Sequence, residues 1–239
     1  MPRPIGLISS VPEEGHLIQS NIRRVRGRKK ETAGSCRIVS GNSFGKDVVY
    51  IVSGIGKVNA AHAATVLQER FSPRLVILFG VGGAYPSSRL KVGDIAAAEM
   101  EIYGDEGVLT PKGFRETDFI GIPLLEMDGK RYFNEFPLLS PRLTSGSIRD
   151  PNVRFGTFVT VSTCTGTRGR AEELEKRFGA VCENMEGAAV AHVCAMYGTM
   201  LIEIRGISNI VEERDKRKLD FRLASERSQE LVIELLKDL

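Results

Sequence analysis

The stretch 182–209, CENMEGAAVAHVCAMYGTMLIEIRGISN, carries the pattern on which the interpretation of the whole chain depends. Its first half, NMEGAAVAHVCAMYG, predicts a helix, because small and apolar residues recur at helical spacing and Gly198 stands where a left-handed C-terminal cap is favoured. Its second half, TMLIEIRGISN, predicts a buried strand. Glu186 stands at the start of the helix, and Ser208 and Asn209 stand at the end of the strand. A carboxylate in so apolar a segment needs a partner or a ligand, so we expect these polar ends to form one site.

Length and composition are those of an ordinary globular protein. The chain has 239 residues, of which 42% are apolar and 26% charged, and a formal net charge of +3, which is too small to argue for a nucleic-acid partner. No apolar run reaches 18 residues, and Glu13, Glu14 and His16 interrupt the segment where a signal peptide is continuous and apolar. We therefore expect a cytoplasmic protein with no membrane contact. The basic run 23–30 is interpreted as a solvated helix end and turn.

Neither the cysteines nor the glycine-rich turns predict a metal or a cofactor. Cys36, Cys164, Cys182 and Cys194 form no CxxC pair, and His192 lies two positions from Cys194, so the two side chains of a helix would point apart. SGIGKV lacks the spacing of a phosphate-binding P-loop, and GVGGAY lacks the third glycine of a dinucleotide fingerprint. What remains is a glycine-rich strand end that lets a ligand approach the backbone.

Strand and helix patterns alternate along the chain, which predicts an α/β protein. An apolar strand over 4–9 is followed by Glu13 and Glu14, at the edge where open α/β sheets build their sites. VVYIVSG, a helix over 58–70 and LVILFGVGGAYP then form a strand, helix, strand unit whose strands should be parallel. No repeat and no convincing linker is present, so a single domain over 1–239 is expected.

The second half of the chain adds further elements and one irregular region. We expect strands over 92–100 and 153–161, a charged helix over 170–178, and an amphipathic C-terminal helix over 223–239. EIYGDEGVLTPKGF is interpreted as a polar loop. The region 117–150 contains three prolines and no periodic pattern, and aromatic residues are frequent in and before it. An exposed aromatic excursion of this kind suggests a subunit contact, so we predict a homo-oligomer.

Five segments together resemble the nucleoside phosphorylase and nucleosidase superfamily. They are IGLISSVPEEGHLI, VSGIGKVNAAHAATVLQERFSPRLVILFGVGGAY, LKVGDIAAAEMEIYGDEG, ENMEGAAVAHVC and IRGISN, and they follow the family order across most of the chain. The branch they resemble contains methylthioadenosine/S-adenosylhomocysteine nucleosidases and futalosine hydrolases, and EIYGDEG, VSTCTGT and the final Asn of RGISN look most like the latter. The resemblance implies a single-domain, three-layer phosphorylase/hydrolase-like fold. Its central sheet is expected to be mixed, largely parallel and twisted, with helices on its faces.

The resemblance also implies a purine nucleoside site that needs no metal or cofactor. Glu186 matches the glutamate that clamps the ribose hydroxyls, and Met185 matches the methionine that packs on the sugar. Glu14 aligns with the carboxylate that activates water, with Glu13 as the weaker alternative. The position of the base-stacking aromatic falls on Thr163. The implied catalytic residues are Glu14 and Asn209, and the implied substrate-binding residues are Gly82, Gly83, Thr163, Met185, Glu186, Arg205 and Ser208.

Asn209 is a departure from the nucleosidase pattern, in which this strand ends in an Asp that protonates the purine. An amide cannot serve as that acid, but it can donate an N–H to N7 or to a 6-oxo group. We therefore expect the enzyme to release hypoxanthine, and specifically to split futalosine into hypoxanthine and dehypoxanthine futalosine, a step that the resemblance places in the alternative menaquinone pathway. Carboxylates near the nucleophile favour water over phosphate. A methylthioadenosine/adenosylhomocysteine or aminofutalosine nucleosidase, and a catalytically silent nucleoside-binding protein, remain as alternatives.

Overall fold

Strands and helices alternate along the part of the chain that the structure describes. The computed structural model covers residues 3–24, 31–140, 153–212, 215, 217 and 219–239. The strands are β1 (Ile5–Ser9), β2 (Arg23–Arg24), β3 (Glu31–Ala33), β4 (Cys36–Ser43), β5 (Lys46–Val52), β6 (Leu75–Ala84), β7 (Ile95–Tyr103), β8 (Val108–Thr110), β9 (Gly113–Arg115), β10 (Leu125–Met127), β11 (Lys130–Tyr132), β12 (Glu135–Pro137), β13 (Val153–Thr160), β14 (Cys182–Asn184) and β15 (Met200–Ile210). The helices are α1 (His16–Asn21), α2 (Lys57–Phe71), α3 (Arg168–Phe178), α4 (Gly187–Met196) and α5 (Phe221–Asp238).

Five of the strands close into a ring. β6 pairs with β15, β15 with β7, β7 with β13 and β13 with β14, and β14 pairs back with β6. From β6 the sheet continues outward through β1, β5 and β4. Pairing is parallel from β5 through β1 and β6 to β15 and again from β7 through β13 to β14, and antiparallel elsewhere. The sheet is therefore mixed, as expected, and side chains that point into the ring are shielded from water.

Helices cover both faces of the sheet. On one face α5 places Leu231, Val232 and Leu235 against Ile202 and Ile204 of β15. On the other face α2 packs against α4 through small side chains, namely Ala60, Ala63 and Ala64 of α2 and Ala188 and Ala189 of α4. Small residues at the contact let the two helices approach closely. The predicted three-layer α/β architecture is confirmed, and no helix among the described residues is long and apolar enough to cross a membrane.

The strand, helix, strand unit is observed with one strand inserted. β5 and β6 both run parallel to β1, which lies between them, and α2 connects β5 to β6. The predicted helix over 58–70 is α2, and the predicted strand that opens with LVILFG is β6. The C-terminal helix begins at Phe221, two residues earlier than predicted, with the Asp220 carboxylate capping its first turn.

The structure corrects the interpretation of EIYG as a loop. These residues continue β7 to Tyr103, and Glu101 is fully buried there. The segment reads as polar, but β13 on one side and β12 on the other supply its backbone partners, so it remains a strand. The excursion is also less irregular than predicted, since β8 pairs with β9 and β10 with β11. Phe136 within it is buried, whereas Phe119 is exposed.

Two further predictions fall partly on residues that the structure leaves undescribed. In the basic run 23–30, Arg23 and Arg24 form β2 beside β4 instead of a helix end, because α1 already ends at Asn21. The remaining residues of the run lie outside the described part. The last part of the excursion, 141–150, lies outside it too.

Candidate active site

One cavity of about 310 Å³ brings together most of the predicted site residues. It opens where β1, β6, β14 and β15 end, and its volume is near the lower end of the range for small-molecule sites, about 300–1,000 Å³. Glu14 lines it. Six of the other eight predicted site residues line it too, namely Gly82, Gly83, Met185, Glu186, Ser208 and Asn209.

Glu14 is held in place by backbone amides. It follows β1 in a turn of 3-10 helix, and it is only 3% exposed. Its Oε2 accepts from the amides of Ser10 (2.9 Å) and Val11 (3.2 Å), and its Oε1 accepts from the amide of Val81 (2.9 Å). Burial raises the pKa of the Glu14 carboxyl above its usual value, and the Arg205 guanidinium opposes that shift. Glu13 is exposed and does not line the cavity, so the geometry separates the two carboxylates.

Gly80 leaves the space that the Glu14 carboxylate occupies. A Cβ built on Gly80 would stand 2.6 Å from Glu14 Oε1 and 2.8 Å from its Cδ. These are carboxylate atoms fixed by three amides, so they cannot move aside cheaply. The glycine of the β6 sequence LFGVGG is therefore required by a neighbouring side chain, in addition to any approach by a ligand.

Glu186 lies at the start of α4, one residue before the helix rather than within its first turn. Its Oε1 accepts from the amide of Gly56 (2.9 Å), and its Oε2 pairs with Arg205 Nη1 (3.3 Å). The helix start is organised by Asn184, whose Oδ1 accepts from the amides of Glu186 (2.9 Å) and Gly187 (2.6 Å). The carboxylate thus faces the start of α2, which Gly56 precedes, with lone pairs left on both oxygens.

Arg205 does not reach the cavity, which corrects its predicted role as a substrate-binding residue. It is 1% exposed and lies behind the lining, inside the strand ring. Its Nε donates to Glu203 Oε1 (2.9 Å), and its Nη1 donates to Glu186. Alternation along β15 turns its side chain inward, away from the strand end. Arg205 therefore positions Glu186 and neutralises charge.

A buried pair of acids stands behind Arg205. Glu101 and Glu203 are both fully buried, and a Cβ on Gly187 would lie 1.9 Å from Glu101 Oε1 and 2.5 Å from Glu203 Oε2. Glu101 also accepts from the hydroxyl of Thr160 (2.8 Å) and the amide of Asn184 (2.5 Å). Burial, reinforced by the charge of Glu203, raises the pKa of Glu101 well above its usual value. Glu203 Oε2 has no other donor among the described residues, so a proton shared with Glu101 satisfies it.

Ser208 and Asn209 also line the cavity. The Ser208 hydroxyl is within 3.0 Å of Asn209 Oδ1 and 3.2 Å of the Gly82 carbonyl. Asn209 Nδ2 donates to the carbonyl of Ile210 (3.2 Å). One N–H of the Asn209 amide is therefore uncommitted by these contacts, and a ligand in the cavity can receive it.

Thr163 is exposed and does not line the cavity. The next two residues, Cys164 and Thr165, do so instead, because the amide of Thr165 is drawn inward by Glu183 (2.8 Å). Thr163, which was predicted to bind substrate, therefore lies outside the lining of this cavity. Phe221 is the aromatic side chain among the described lining residues.

Several residues of the site escaped the sequence analysis. Asn184 and Glu203 each carried a signal. Asn184 is a capping residue type three positions before the first residue of α4, and Glu203 shares the inward face of β15 with Arg205. Glu101 was obscured because its segment reads as a loop. Glu183 gave no local signal, since a single acid in a short strand has no pattern of its own.

A family model described as the phosphorylase superfamily matches residues 4–237. The chain belongs to the phosphorylase superfamily. Among curated relatives in this superfamily, a futalosine hydrolase of Thermus thermophilus is 38% identical over 175 residues, covering 72% of this chain and 73% of the relative. A 5′-methylthioadenosine/S-adenosylhomocysteine nucleosidase of Oceanobacillus iheyensis is 30% identical over 238 residues, covering 98% of both chains. The predicted enzyme class, an N-glycosyl hydrolase, is thereby confirmed.

Solved structures of the superfamily share the fold over the full length. The 5′-methylthioadenosine/S-adenosylhomocysteine nucleosidase of Neisseria meningitidis, in complex with methylthio-immucillin-A, has a TM-score of 0.83 and 24% identity, and all of both chains is covered. The corresponding protein of Colwellia psychrerythraea, in complex with adenine, has a TM-score of 0.82 at 24% identity, covering 100% of this chain and 96% of the other. The phosphorylase-superfamily fold of the chain is therefore established.

Proposed function

We propose that this nucleosidase hydrolyses futalosine, releasing hypoxanthine and leaving dehypoxanthine futalosine. The observation that carries the proposal is the composition of the cavity. Two buried carboxylates, Glu14 and Glu186, line it. An amide, Asn209, stands near the end of β15, where a carboxylic acid would be needed to protonate a purine.

The charges of the cavity favour a cationic transition state. Cleavage of an N-glycosidic bond leaves positive charge on the ribosyl ring, and preorganised carboxylates are effective where such charge develops. In our assignment Glu186 binds the ribose hydroxyls with its free lone pairs, and Glu14 removes a proton from the attacking water. Met185 also lines the cavity, and in this assignment it packs against the sugar.

The same charges favour water over phosphate as the nucleophile. Arg205, the guanidinium nearest to Glu14 and Glu186, is already paired with Glu186 and Glu203, so it is not available to bind an anion. A phosphate dianion beside Glu14 would be repelled at close range. Water needs no such partner.

The preference for a 6-oxopurine rests on Asn209 and on the relatives. An amide donates an N–H to N7 or to the 6-oxo oxygen but supplies no proton at neutral pH. The Thermus thermophilus futalosine hydrolase is also more similar, at 38% identity, than the nucleosidase of Oceanobacillus iheyensis at 30%. Through this relative we infer a role in menaquinone biosynthesis.

A second candidate is 5′-methylthioadenosine/S-adenosylhomocysteine nucleosidase activity, or its aminofutalosine counterpart. The observation in its favour is coverage: the nucleosidase relatives align over 98% of this chain, against 72% for the futalosine hydrolase. A catalytically silent binding protein is less consistent with a base that three backbone amides hold in the cavity.

A chromatographic assay distinguishes these candidates. Purified protein is incubated with futalosine, aminofutalosine, methylthioadenosine or inosine, each with and without phosphate, and the released base is identified. We expect hypoxanthine from futalosine at a rate that phosphate does not change. Adenine as the main product, from methylthioadenosine or aminofutalosine, would establish the second candidate. A requirement for phosphate would indicate a phosphorylase, and no base from any substrate would indicate a binding protein.

A further inference from the structure

Glu183 is a buried acid at the cavity that the roles assigned above do not use. It is 6% exposed, it lines the cavity, and among the described residues it forms no ion pair with Lys or Arg. An acid in this setting normally needs partners. The groups around Glu183 therefore indicate which hydrogen-bond donor its carboxylate can still bind.

The sheet register places Glu183 opposite Asn209 across one glycine. In β14, Glu183 pairs with Gly83 of β6, and in β15, Asn209 pairs with the same Gly83 on the other side. Residues paired directly across strands project to the same face of a sheet. Gly83 has no side chain, and a Cβ built there would stand 3.3 Å from Asn209 Nδ2 and 2.8 Å from Val211 Cγ2, so the Asn209 amide lies over Gly83, next in the sheet to Glu183. Since neighbouring strands are about 4.8 Å apart, the two backbones are about 10 Å apart.

The contacts of Glu183 leave one acceptor position free. Tyr85 donates its hydroxyl (3.1 Å), and Thr165 donates its hydroxyl (2.5 Å) and its backbone N–H (2.8 Å). All three are donors, the arrangement that suits a carboxylate, which only accepts. A carboxylate offers about four lone-pair positions, so a fourth donor can still be bound. The cavity is the side from which a ligand can supply it.

We propose that Glu183 is the specificity-determining residue that accepts the N1–H of a 6-oxopurine. This inference rests on the proposed function and deepens it. Asn209 disfavours a departing 6-aminopurine because it supplies no proton, but its amide can bind N7 together with either a 6-amino or a 6-oxo group. The N1 edge does discriminate: a 6-oxopurine carries a hydrogen there, whereas a 6-aminopurine presents a bare lone pair, which the carboxylate repels.

The test compares substrates that differ only at position 6. We would measure kcat/KM for futalosine against aminofutalosine and for inosine against adenosine, in the wild type, in Glu183→Gln and in a control, Tyr85→Phe. The control removes one donor to the same carboxylate and leaves its charge. Binding of free hypoxanthine and free adenine by calorimetry gives the same comparison without turnover.

We expect Glu183→Gln to lower the ratio of 6-oxo to 6-amino kcat/KM by about ten- to a hundredfold, the loss typical of a buried hydrogen bond to a charged group. Tyr85→Phe should leave the ratio near that of the wild type. If Glu183→Gln reduced both substrates equally, Glu183 would only hold the Thr165 loop, and the inference would be wrong. If Glu183→Gln does not fold, Glu183→Asp takes its place. This variant withdraws the carboxylate by one methylene, and we expect the same fall in the ratio of 6-oxo to 6-amino kcat/KM.

The proposed function and this inference fail in different measurements. A wild type that releases adenine in preference to hypoxanthine refutes the proposed function. A wild type that prefers the 6-oxo substrate, with a ratio unchanged in Glu183→Gln, refutes the inference alone. If no substrate is turned over, the calorimetric comparison of hypoxanthine with adenine still decides whether Glu183 reads N1.

Discussion

Individual side chains decide the chemistry, and Glu14 is the first to test. In Glu14→Gln an NH2 group must face backbone amides that donate to both oxygens, and the base is lost. We expect kcat to fall by about 10²- to 10⁴-fold, the usual contribution of a general base. Binding of the free purine should persist, as measured by calorimetry.

Glu13→Gln is the matched control for this substitution. Glu13 is exposed and outside the cavity, so its replacement should leave kcat close to that of the wild type. Thermal melting of both variants separates lost chemistry from lost folding. A Glu14→Gln enzyme with undiminished kcat, or a Glu13→Gln enzyme with a large loss, would overturn the assignment of the base.

The pH profile gives an independent prediction for the same carboxyl. Glu14 must be ionised to accept a proton, and burial raises its pKa. Activity should therefore fall on the acid side at a pH above the value of about 4.3 that is usual for glutamate. The acid limb of kcat/KM measures this directly. A limb at or below the usual value would argue against Glu14 as the group that titrates.

Gly80→Ala should impair the enzyme without any change in a polar residue. The added Cβ would displace the Glu14 carboxylate, and a misplacement of about 1 Å is enough to cost about a hundredfold in rate. Gly169→Ala is the control, because among the described residues beyond its own helix nothing lies within 4 Å of a Cβ at that position in α3. Full activity in Gly80→Ala would mean that Glu14 adjusts its position or is not needed.

At the level of strands and helices, the two acids buried in the strand ring, Glu101 and Glu203, should differ in how much their substitution destabilises the fold. Glu101 shares a proton, so Glu101→Gln keeps a neutral hydrogen-bonding group, and the Thr160 hydroxyl can turn to Asn184 Oδ1 at 3.2 Å. We expect a free energy of unfolding within about 1 kcal/mol of the wild type. Glu203→Gln removes a charge that pairs with buried Arg205 and should cost on the order of 3 kcal/mol.

The free energy of unfolding of the wild type and of Glu101→Gln should depend differently on pH. The pKa of Glu101 is raised by folding, so its contribution to stability is complete below the unfolded value of about 4.3 and is lost as the pH rises through the folded value. Urea unfolding at about pH 5 and about pH 8 should therefore show a smaller loss of stability for Glu101→Gln than for the wild type. An equal loss in both would mean that Glu101 is ionised in the folded protein.

Helices and strands could be predicted from the sequence wherever the apolar residues followed a long, single pattern. β15, α4, α2 and α5 have long apolar patterns, and all four are observed close to the predicted bounds. The extension of β7 through Glu101 could not be predicted, because its strand character comes from partners distant in the chain, β12 and β13. Likewise, Glu14 and Glu186 could be selected from motifs, whereas the approach of Glu183 to Asn209 depends on the register of β14 and β15 with β6.

For the molecule as a whole, the exposed apolar residues support the proposal of a homo-oligomer. Val58 is 83% exposed at the start of α2, and Ile55, at the mouth of the cavity, is 57% exposed. Ile122 in the excursion is 69% exposed. Light scattering should give a mass at least twice the 26.2 kDa of one chain, and Val58→Glu should shift it toward the monomer. A wild type with the mass of one chain would refute this prediction.

The three residues of β14 face two different environments. Asn184 points into the ring, where it contacts Arg205 and Glu101, whereas its neighbour Glu183 points toward Tyr85 and Thr165. Groups with no shared partner usually respond independently to substitution. If Glu183 reads the base as proposed, a substitution at position 183 should change which purine is released without disturbing the network around Arg205. Base preference and the support of the catalytic carboxylates would then be separable within a strand of three residues.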